Sequence, residues 1–132
     1  MRMLDTNICI YIIKKHPEKV LKHFESFQLG DICLSIISFS ELLYGVEKSL
    51  YPEKNQKALE EFILPIEILP FDAEAAYHYA RLRANLEKKG TIIGSMDLMI
   101  AAHALSTDTT LITNHIKEFQ RVPNLKLEDW VH

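Results

Sequence analysis

The sequence predicts an α/β fold built around a mainly parallel β-sheet of about five strands. Short runs of β-branched and apolar residues alternate along the chain with longer segments whose apolar residues recur at helical spacing. Some of the short runs are almost continuously apolar, which is typical of strands that helices cover on both faces. Because strands that alternate with helices are joined by right-handed crossovers, we expect the strands to lie parallel in one sheet.

The composition is that of a globular protein with one core. The chain has 132 residues, of which 48% are hydrophobic and 25% are charged, so we expect a single domain over residues 1–132. A net charge of −3 excludes a strongly basic nucleic-acid-binding protein, and any RNA contact must use a local patch. No apolar run reaches the ~20 residues of a membrane span, and no secretory signal pattern opens the chain. We therefore expect a cytoplasmic protein with no membrane partner.

The two cysteines, Cys9 and Cys33, both fall in apolar runs. We expect them to be reduced core residues, which suits a cytosolic protein. The chain has no CxxC motif and no cluster of cysteine and histidine, so the sequence shows no zinc site.

The first part of the chain is predicted to hold two strands, each followed by helices. A short buried strand ends at Asp5, and a helix over residues 7–14 follows it. A second helix begins at Pro17, because a first helical turn tolerates proline. Residues 31–37 read as the second strand, and residues 38–41 open the next helix.

The middle of the chain continues this alternation. The spacing predicts a helix over residues 52–64 and a short strand over residues 66–69. Asp72 is a plausible N-cap for a long helix over residues 73–89. That helix is expected to end at Gly90, since two lysines in a last turn followed by glycine are typical of a helix C-terminus.

The last part of the chain is predicted to hold a buried helix between a loop and a strand. Residues 91–96 form the loop, and residues 97–105 form a helix that is apolar on almost every side. Residues 109–113 form a strand, and a short helical turn falls within residues 114–120. Residues 125–127 are expected to add a strand at the sheet edge.

Acids and amides recur beside the predicted strand ends. Asp5 follows the first strand, Glu41 lies one short turn beyond the second, and Asp97 opens the buried helix, while Asn114 and Glu118 follow the fourth strand. Parallel strands would bring most of these groups to one sheet edge, where open α/β sheets bind ligands. Carboxylates within ~6 Å of one another repel unless a cation neutralises them. Hard oxygen ligands favour Mg²⁺ or Mn²⁺, and such a cluster suits phosphodiester hydrolysis.

Helix capping explains the same residues one at a time. Asp5 would cap a helix, and Ser38 with Glu41 matches a capping box. Asp97 would be favoured in a first helical turn by the helix dipole. The polar residues after the fourth strand would be a turn residue and a solvated acid. Capping does not explain why acids recur beside separate strands, so both interpretations stay open on spacing alone.

The histidines and serines add little to either interpretation. His103 falls on the buried helix and is expected to be a hydrogen-bonded core residue, and His115 is expected to be a solvated loop residue. The chain has no GxSxG elbow and no GxxxxGK[ST] loop, which argues against a serine hydrolase and against nucleotide binding of the P-loop type.

Four stretches make the chain resemble VapC-type toxins of the PIN-domain ribonuclease family. They cover nearly the whole chain and read, in order, MLDTNICIYIIKKHPE, SIISFSELLYGVEKS, IIGSMDLMIAAHALS and TLITNHIKEFQRVPNLKLEDW. The resemblance implies a three-layer α/β/α domain and endoribonuclease activity that depends on Mg²⁺ or Mn²⁺. It also implies a VapB-type antitoxin as partner, a homodimer that assembles further with the antitoxin, and cleavage of tRNA, with the anticodon stem-loop of initiator tRNA as the expected target.

Motif matching implies a role for each residue of the acidic group. Asp5, Glu41 and Asp97 match the first three acids of the family, and Asp5 with Asp97 would hold the metal ion. Glu118 or Asn114 would complete the site. Thr6, Asn7, Thr113 and Asn114 would be supporting polar residues that orient ligands or water.

The chain departs from the family pattern at two places near the site. Relatives carry T-N-N-x-x-E-F after the fourth strand, whereas His115 stands here in place of the second asparagine. The segment 94–96 reads Gly-Ser-Met, where relatives often carry proline and asparagine. The antitoxin would sit on an apolar patch around residues 42–46, although most of those residues are also expected to pack internally.

Two other classes of function are compatible with the residues. The domain would bind RNA or an antitoxin without turnover if the acids were only helix caps. A small-molecule phosphatase is the third class, but the aspartyl-phosphatase signature needs a second acid where Asn7 stands.

Overall fold

The computed structural model describes residues 1–132 and contains one sheet of five strands, all of them parallel. The strands are β1 (Arg2–Leu4), β2 (Ile32–Ser35), β3 (Glu67–Leu69), β4 (Thr110–Ile112) and β5 (Leu127–Glu128). Their order in the sheet is β3-β2-β1-β4-β5, which places the first strand at the centre. The predicted parallel α/β fold is therefore confirmed, and the residue that follows β1 lies in the middle of the sheet edge.

Seven α-helices and one short 3₁₀ turn connect the strands. The helices are α1 (Thr6–Lys14), α2 (Glu18–Glu25), α3 (Ile36–Glu47), α4 (Pro52–Ile63), α5 (Ala73–Lys89), α6 (Ser95–Thr107) and α7 (Ile116–Phe119), and the 3₁₀ turn covers Leu29–Asp31. Helices α1 to α4 contribute to one apolar cluster, whereas α5, α6 and α7 contribute to the other. The sheet lies between these two helical layers, as the three-layer prediction requires.

Alternation along the strands builds the two cores. Met3 packs in the cluster with α5 and α6, while its neighbour Leu4 packs in the cluster with α1 to α4. Leu111 and Ile112 on β4 divide between the clusters in the same way. Successive side chains of a strand point to opposite faces, so a short, fully apolar strand supplies both cores at once.

Helix α6 is buried almost throughout, as its sequence predicts. Leu98, Ile100, Ala101, Ala102 and Ala104 are all within the core cluster, and the helix packs against α5. Helix α5 has the predicted bounds: the Asp72 carboxylate accepts a hydrogen bond from the Ala75 amide at 3.0 Å, and Gly90 ends the helix at φ 67°. That left-handed conformation favours glycine.

The prediction for the β2–α3 junction was wrong by two residues. Strand β2 ends at Ser35, and α3 begins at Ile36 rather than at residue 38. The reason is local, because the Ser35 hydroxyl accepts a hydrogen bond from the Ile37 amide at 3.0 Å and so caps the helix early. Helix α6 also begins early, at Ser95, within the segment that was predicted to be a loop.

The remaining core predictions are confirmed. Cys9 and Cys33 are buried and unpaired, and His103 is buried with its Nδ1 at 2.7 Å from the Ser35 hydroxyl. No helix of the chain combines the length and the apolar character that crossing a membrane requires.

Candidate active site

Asp5 lies at the carboxyl end of the central strand and begins α1. Its carboxylate accepts a hydrogen bond from the Ile8 amide at 2.9 Å, and only 4% of the residue is exposed. The capping interpretation is therefore correct for Asp5. Burial raises its pKa from 3.8 to about 6, although hydrogen bonds from Thr113 and Ile8 act in the opposite direction. A cap that is buried this deeply carries a large desolvation penalty, which an exposed cap would avoid.

Glu41 reaches the same sheet edge from the second turn of α3. The Thr6 hydroxyl, at the start of α1, donates a hydrogen bond to its Oε1 atom. The capping-box interpretation of Ser38 and Glu41 is wrong, because Ser35 caps the helix and Ser38 lies inside it with its buried hydroxyl unpartnered. Glu41 is thus free to face α1 instead of the start of its own helix.

Asp97 and Glu118 form the other side of the cluster. Asp97 lies in the first turn of α6 and is partly buried, while Glu118 belongs to α7. The pKa of Asp97 is raised from 3.8 to about 7, first by burial, then by the charge of Glu118 and a hydrogen bond with it, and then by the charges of Asp5 and Glu41. Asp97 and Glu118 therefore lie within hydrogen-bonding distance of each other. The N-cap residue of α6 is Gly94, which has no side chain to cap the helix, and Asp97 lies in the first turn, as its sequence position predicts.

The loop before α6 is tied to the same group by Glu118. Its Oε1 atom accepts a hydrogen bond from the Gly94 amide at 3.1 Å. Of the two candidates for the fourth position, Glu118 is thus the one that contacts Asp97 and anchors the start of α6. The interpretation of Glu118 as a solvated surface acid does not fit this geometry.

Three consecutive residues after β4 bind the start of α1. Thr113 donates to Asp5, the Asn114 amide donates to the Tyr11 hydroxyl at 3.3 Å, and His115 meets the Asn7 amide at 2.6 Å. Tyr11 was not predicted to lie at the site, although it follows Asn7 by one helical turn and therefore shares its face of α1. His115 is exposed, as predicted, and its ring is in addition hydrogen-bonded to Asn7.

The donor chemistry of the cluster fits a divalent metal ion. Its groups are carboxylate oxygens from four separate segments, with the buried Asn114 Oδ1 unpartnered beside them. Mg²⁺ and Mn²⁺ prefer such oxygen ligands. No group of three or more acidic, histidine or cysteine side chains is arranged closely enough to bind one metal ion. The pKa of Asp5 is nonetheless raised in part by Glu41, and that of Asp97 by Glu118, Asp5 and Glu41, so the four side chains lie close enough to interact.

Comparison with known proteins gives a consistent family match. The PIN domain profile matches residues 2–125. The chain is 49% identical over 129 residues to ribonuclease VapC2 of Rickettsia felis, covering 97% of this chain and 96% of the relative. It is 45% identical over 128 residues to the tRNA(fMet)-specific endonuclease VapC of Salmonella typhimurium, again covering 97% of this chain and 96% of the relative.

Solved structures agree with the sequence relatives. The VapBC2 complex of Rickettsia felis bound to a promoter DNA fragment superposes with a TM-score of 0.91 at 48% identity, covering 98% of both chains. The DNA-bound VapBC complex of Salmonella typhimurium gives a TM-score of 0.92 at 45% identity, covering 98% of this chain and 97% of the other.

Proposed function

The chain belongs to the PIN-domain family, in its VapC branch, and from that membership we propose that it is an endoribonuclease toxin that hydrolyses phosphodiester bonds in tRNA. The substrate follows from the relative that is named a tRNA(fMet)-specific endonuclease. We extend that expectation to this chain, with initiator tRNA as the substrate and the anticodon stem-loop as the cleavage site.

One observation supports a catalytic activity in addition to the fold. Asp97 has a pKa of about 7, and the causes after burial are the three other acids that the sequence placed in the site, Glu118, Asp5 and Glu41. Asp5 is a helix cap as well, but capping alone would not bring four acids from separate elements close enough to interact. Perturbed carboxyl groups that cluster at a strand-end edge are typical of a functional site.

The same arrangement assigns a role to each side chain. Asp5 and Asp97 would hold a divalent metal ion, which supplies Lewis-acid activation of water and neutralises charge on the phosphoryl oxygens. Glu41, whose Oε1 atom accepts a hydrogen bond from Thr6, would bind a second ion or orient the attacking water. Glu118 contacts Asp97 and raises the pKa of that carboxyl group, so it would complete the acidic site. Thr113 fixes the orientation of the Asp5 carboxylate.

The partner of the toxin would be a VapB-type antitoxin, since the solved relatives are VapBC complexes. A cavity of about 290 Å³ between α1, α3 and α4 is suited to receive it. The cavity is lined mainly by apolar side chains and reaches Glu41, so a bound segment would extend from an apolar groove to the acids. Leu42 and Val46 of the predicted patch line this groove, although both are largely buried, whereas Tyr44 is 65% exposed.

The test of the proposed function is cleavage of labelled tRNA by the purified protein. Wild type is incubated with and without Mg²⁺ beside the variants Asp5→Asn and Asp97→Asn, which are expected to lose at least about a hundredfold in rate because they remove metal-binding carboxylates. Asp31→Asn, which changes an exposed acid away from the cluster, is the matched control and is expected to cleave like wild type.

Two outcomes would contradict the assignment. Equal cleavage by wild type and by both cluster variants would exclude the proposed roles of Asp5 and Asp97. Absence of cleavage on every RNA, together with no change in melting temperature on adding Mg²⁺, would favour a binding domain without turnover.

A further inference from the structure

His115 differs from the other residues that tie β4 to α1. Its backbone amide donates to the Thr113 hydroxyl at 2.9 Å, which holds that hydroxyl where it can donate to Asp5. Thr113 is buried and Asn114 is partly buried, whereas His115 is exposed. The imidazole therefore stands at the rim of the acidic cluster, where a substrate strand would enter.

The contact with Asn7 fixes the hydrogen-bonding state of the ring. The amide nitrogen Nδ2 of Asn7 can only donate, so the His115 Nε2 atom, 2.6 Å away, must accept and carries no hydrogen. In the neutral ring the proton is then on Nδ1. His115 thus keeps one N–H donor, on the side of the ring that Asn7 does not occupy.

We propose that His115 is a substrate-positioning residue that donates its Nδ1–H to a phosphate oxygen of the RNA strand next to the scissile bond. Four carboxylates repel a polyanion, so the rim of the cluster needs neutral or cationic donors that can hold the backbone. The Asn7 contact restrains the ring, and a restrained donor loses less conformational entropy on binding than a free side chain does.

This inference rests on the proposed RNA substrate, and it concerns a residue in which the chain departs from its family pattern. Asparagine at this position also carries a donor nitrogen attached to Cγ, as Nδ1 is in histidine. The histidine would therefore keep a donor at the same distance along the side chain and restrain it through the Asn7 contact, and so contribute to substrate binding more than to the chemical step.

The test compares three variants of His115 in cleavage of initiator tRNA. His115→Ala is expected to raise KM about tenfold with kcat changed less than about twofold, because a hydrogen bond to a charged phosphate is lost. His115→Asn, which keeps a donor, is expected to recover most of that loss, and His115→Phe, which keeps only a ring, is not. All three retain the backbone amide that orients Thr113.

Two controls separate binding from stability. His16→Ala changes an exposed histidine beyond the opposite end of α1 and is expected to match wild type. The rise in melting temperature on adding Mg²⁺ is expected to be unchanged in His115→Ala, because the carboxylates are intact. A kcat loss with unchanged KM, or a lost Mg²⁺ effect, would overturn the positioning role.

The outcomes distinguish this inference from the proposed function. Wild-type KM in His115→Ala, or wild-type KM in His115→Phe, would overturn the inference while tRNA cleavage stands. If wild type cleaves no RNA, binding of labelled tRNA is measured by fluorescence anisotropy in the Asp97→Asn background. About tenfold weaker binding on adding His115→Ala would then support the inference without the activity, and equal or undetectable binding would overturn it.

Discussion

At the scale of single residues, the raised pKa of Asp97 reflects both its burial and the acids around it. Its pKa of about 7 is caused first by burial and then by the neighbouring acids. Asp5 responds differently, because hydrogen bonds from Thr113 and Ile8 partly offset its burial and leave its pKa at about 6. Hydrogen-bond donors thus lower the pKa of Asp5, whereas the neighbouring Glu118 raises the pKa of Asp97.

The raised pKa of Asp97 predicts that the metal-free protein loses stability as pH rises. The folded state binds the proton more tightly than the unfolded state, whose pKa is near 3.8, so the stabilisation is complete below pH 3.8 and is lost as pH rises through about 7. Asp97→Asn removes this loss and is expected to be about 1–2 kcal/mol more stable than wild type at pH 8, after discounting the shift for solvent screening.

Urea unfolding in the presence of a chelator, at pH 5 and pH 8, measures the effect. The advantage of Asp97→Asn over wild type is expected to grow between these two pH values. Asp31→Asn serves as the exposed control and is expected to show no such growth. A variant that is less stable than wild type at pH 8 would mean that Asp97 stabilises the fold as an ionised side chain.

At the scale of elements, a buried polar chain connects β2, α3 and α6. The Ser35 hydroxyl accepts from the Ile37 amide at 3.0 Å and lies 2.7 Å from Nδ1 of His103, whose ring also bonds to the Pro70 carbonyl. The Pro70 carbonyl can only accept, so Nε2 donates to it and Nδ1 accepts from Ser35. Burial lowers the pKa of His103, which favours this neutral ring. The helix that carries Glu41 is thereby fixed to the helix that carries Asp97.

Ser35→Ala is expected to destabilise the protein by about 1–3 kcal/mol. The variant removes the cap of α3 and leaves the buried His103 Nδ1 without a donor. Ser40→Ala is the matched control on α3. The exposed Ser40 hydroxyl donates only to the Ile36 carbonyl, so this variant is expected to lower the free energy of unfolding by less than about 0.5 kcal/mol. Equal unfolding midpoints in urea for the two variants would contradict a structural role for this chain of hydrogen bonds.

At the scale of the whole molecule, the sheet brings the acids together. Helix α6 lies in one helical layer and α1 with α3 in the other, so Asp97 approaches the edge from one face and Glu41 from the opposite face. Asp5 follows the central strand, between the two. A cation bound at this edge would therefore connect both layers through the end of β1, and its effect on stability would extend to the whole fold.

Binding of Mg²⁺ is accordingly expected to raise the melting temperature of wild type. A ligand that binds only the folded state raises the free energy of unfolding by about 2.7 kcal/mol when its free concentration is a hundred times its Kd. The effect is expected to weaken below pH 7, because the proton on Asp97 competes with the cation. Thermal unfolding with Mg²⁺ or chelator at pH 6 and pH 8 measures this. An Mg²⁺ effect as large in Asp97→Asn as in wild type would contradict a site that includes Asp97.

The sequence by itself determined the order of the elements and the parallel sheet, and it indicated Asp5, Glu41 and Asp97 as site residues, with Glu118 or Asn114 as the fourth. Continuous apolar strands, the buried helix α6, and the Asp72 and Gly90 signals at the ends of α5 are local patterns, and the structure follows them. These features depend on periodicity and on backbone preferences, which neighbouring residues along the chain already express.

Only the tertiary structure decided how the polar residues are paired. Ser35 replaces Ser38 as the cap of α3, Glu118 rather than Asn114 contacts Asp97, and Asn114 and His115 bind Tyr11 and Asn7 on α1. Each choice depends on a partner far away in sequence, because a hydrogen bond requires a distance and a direction that no spacing along one segment contains. The types of chemical group in the site can therefore be predicted from the sequence. Their hydrogen-bond partners are set by the packing of the two helical layers on the sheet.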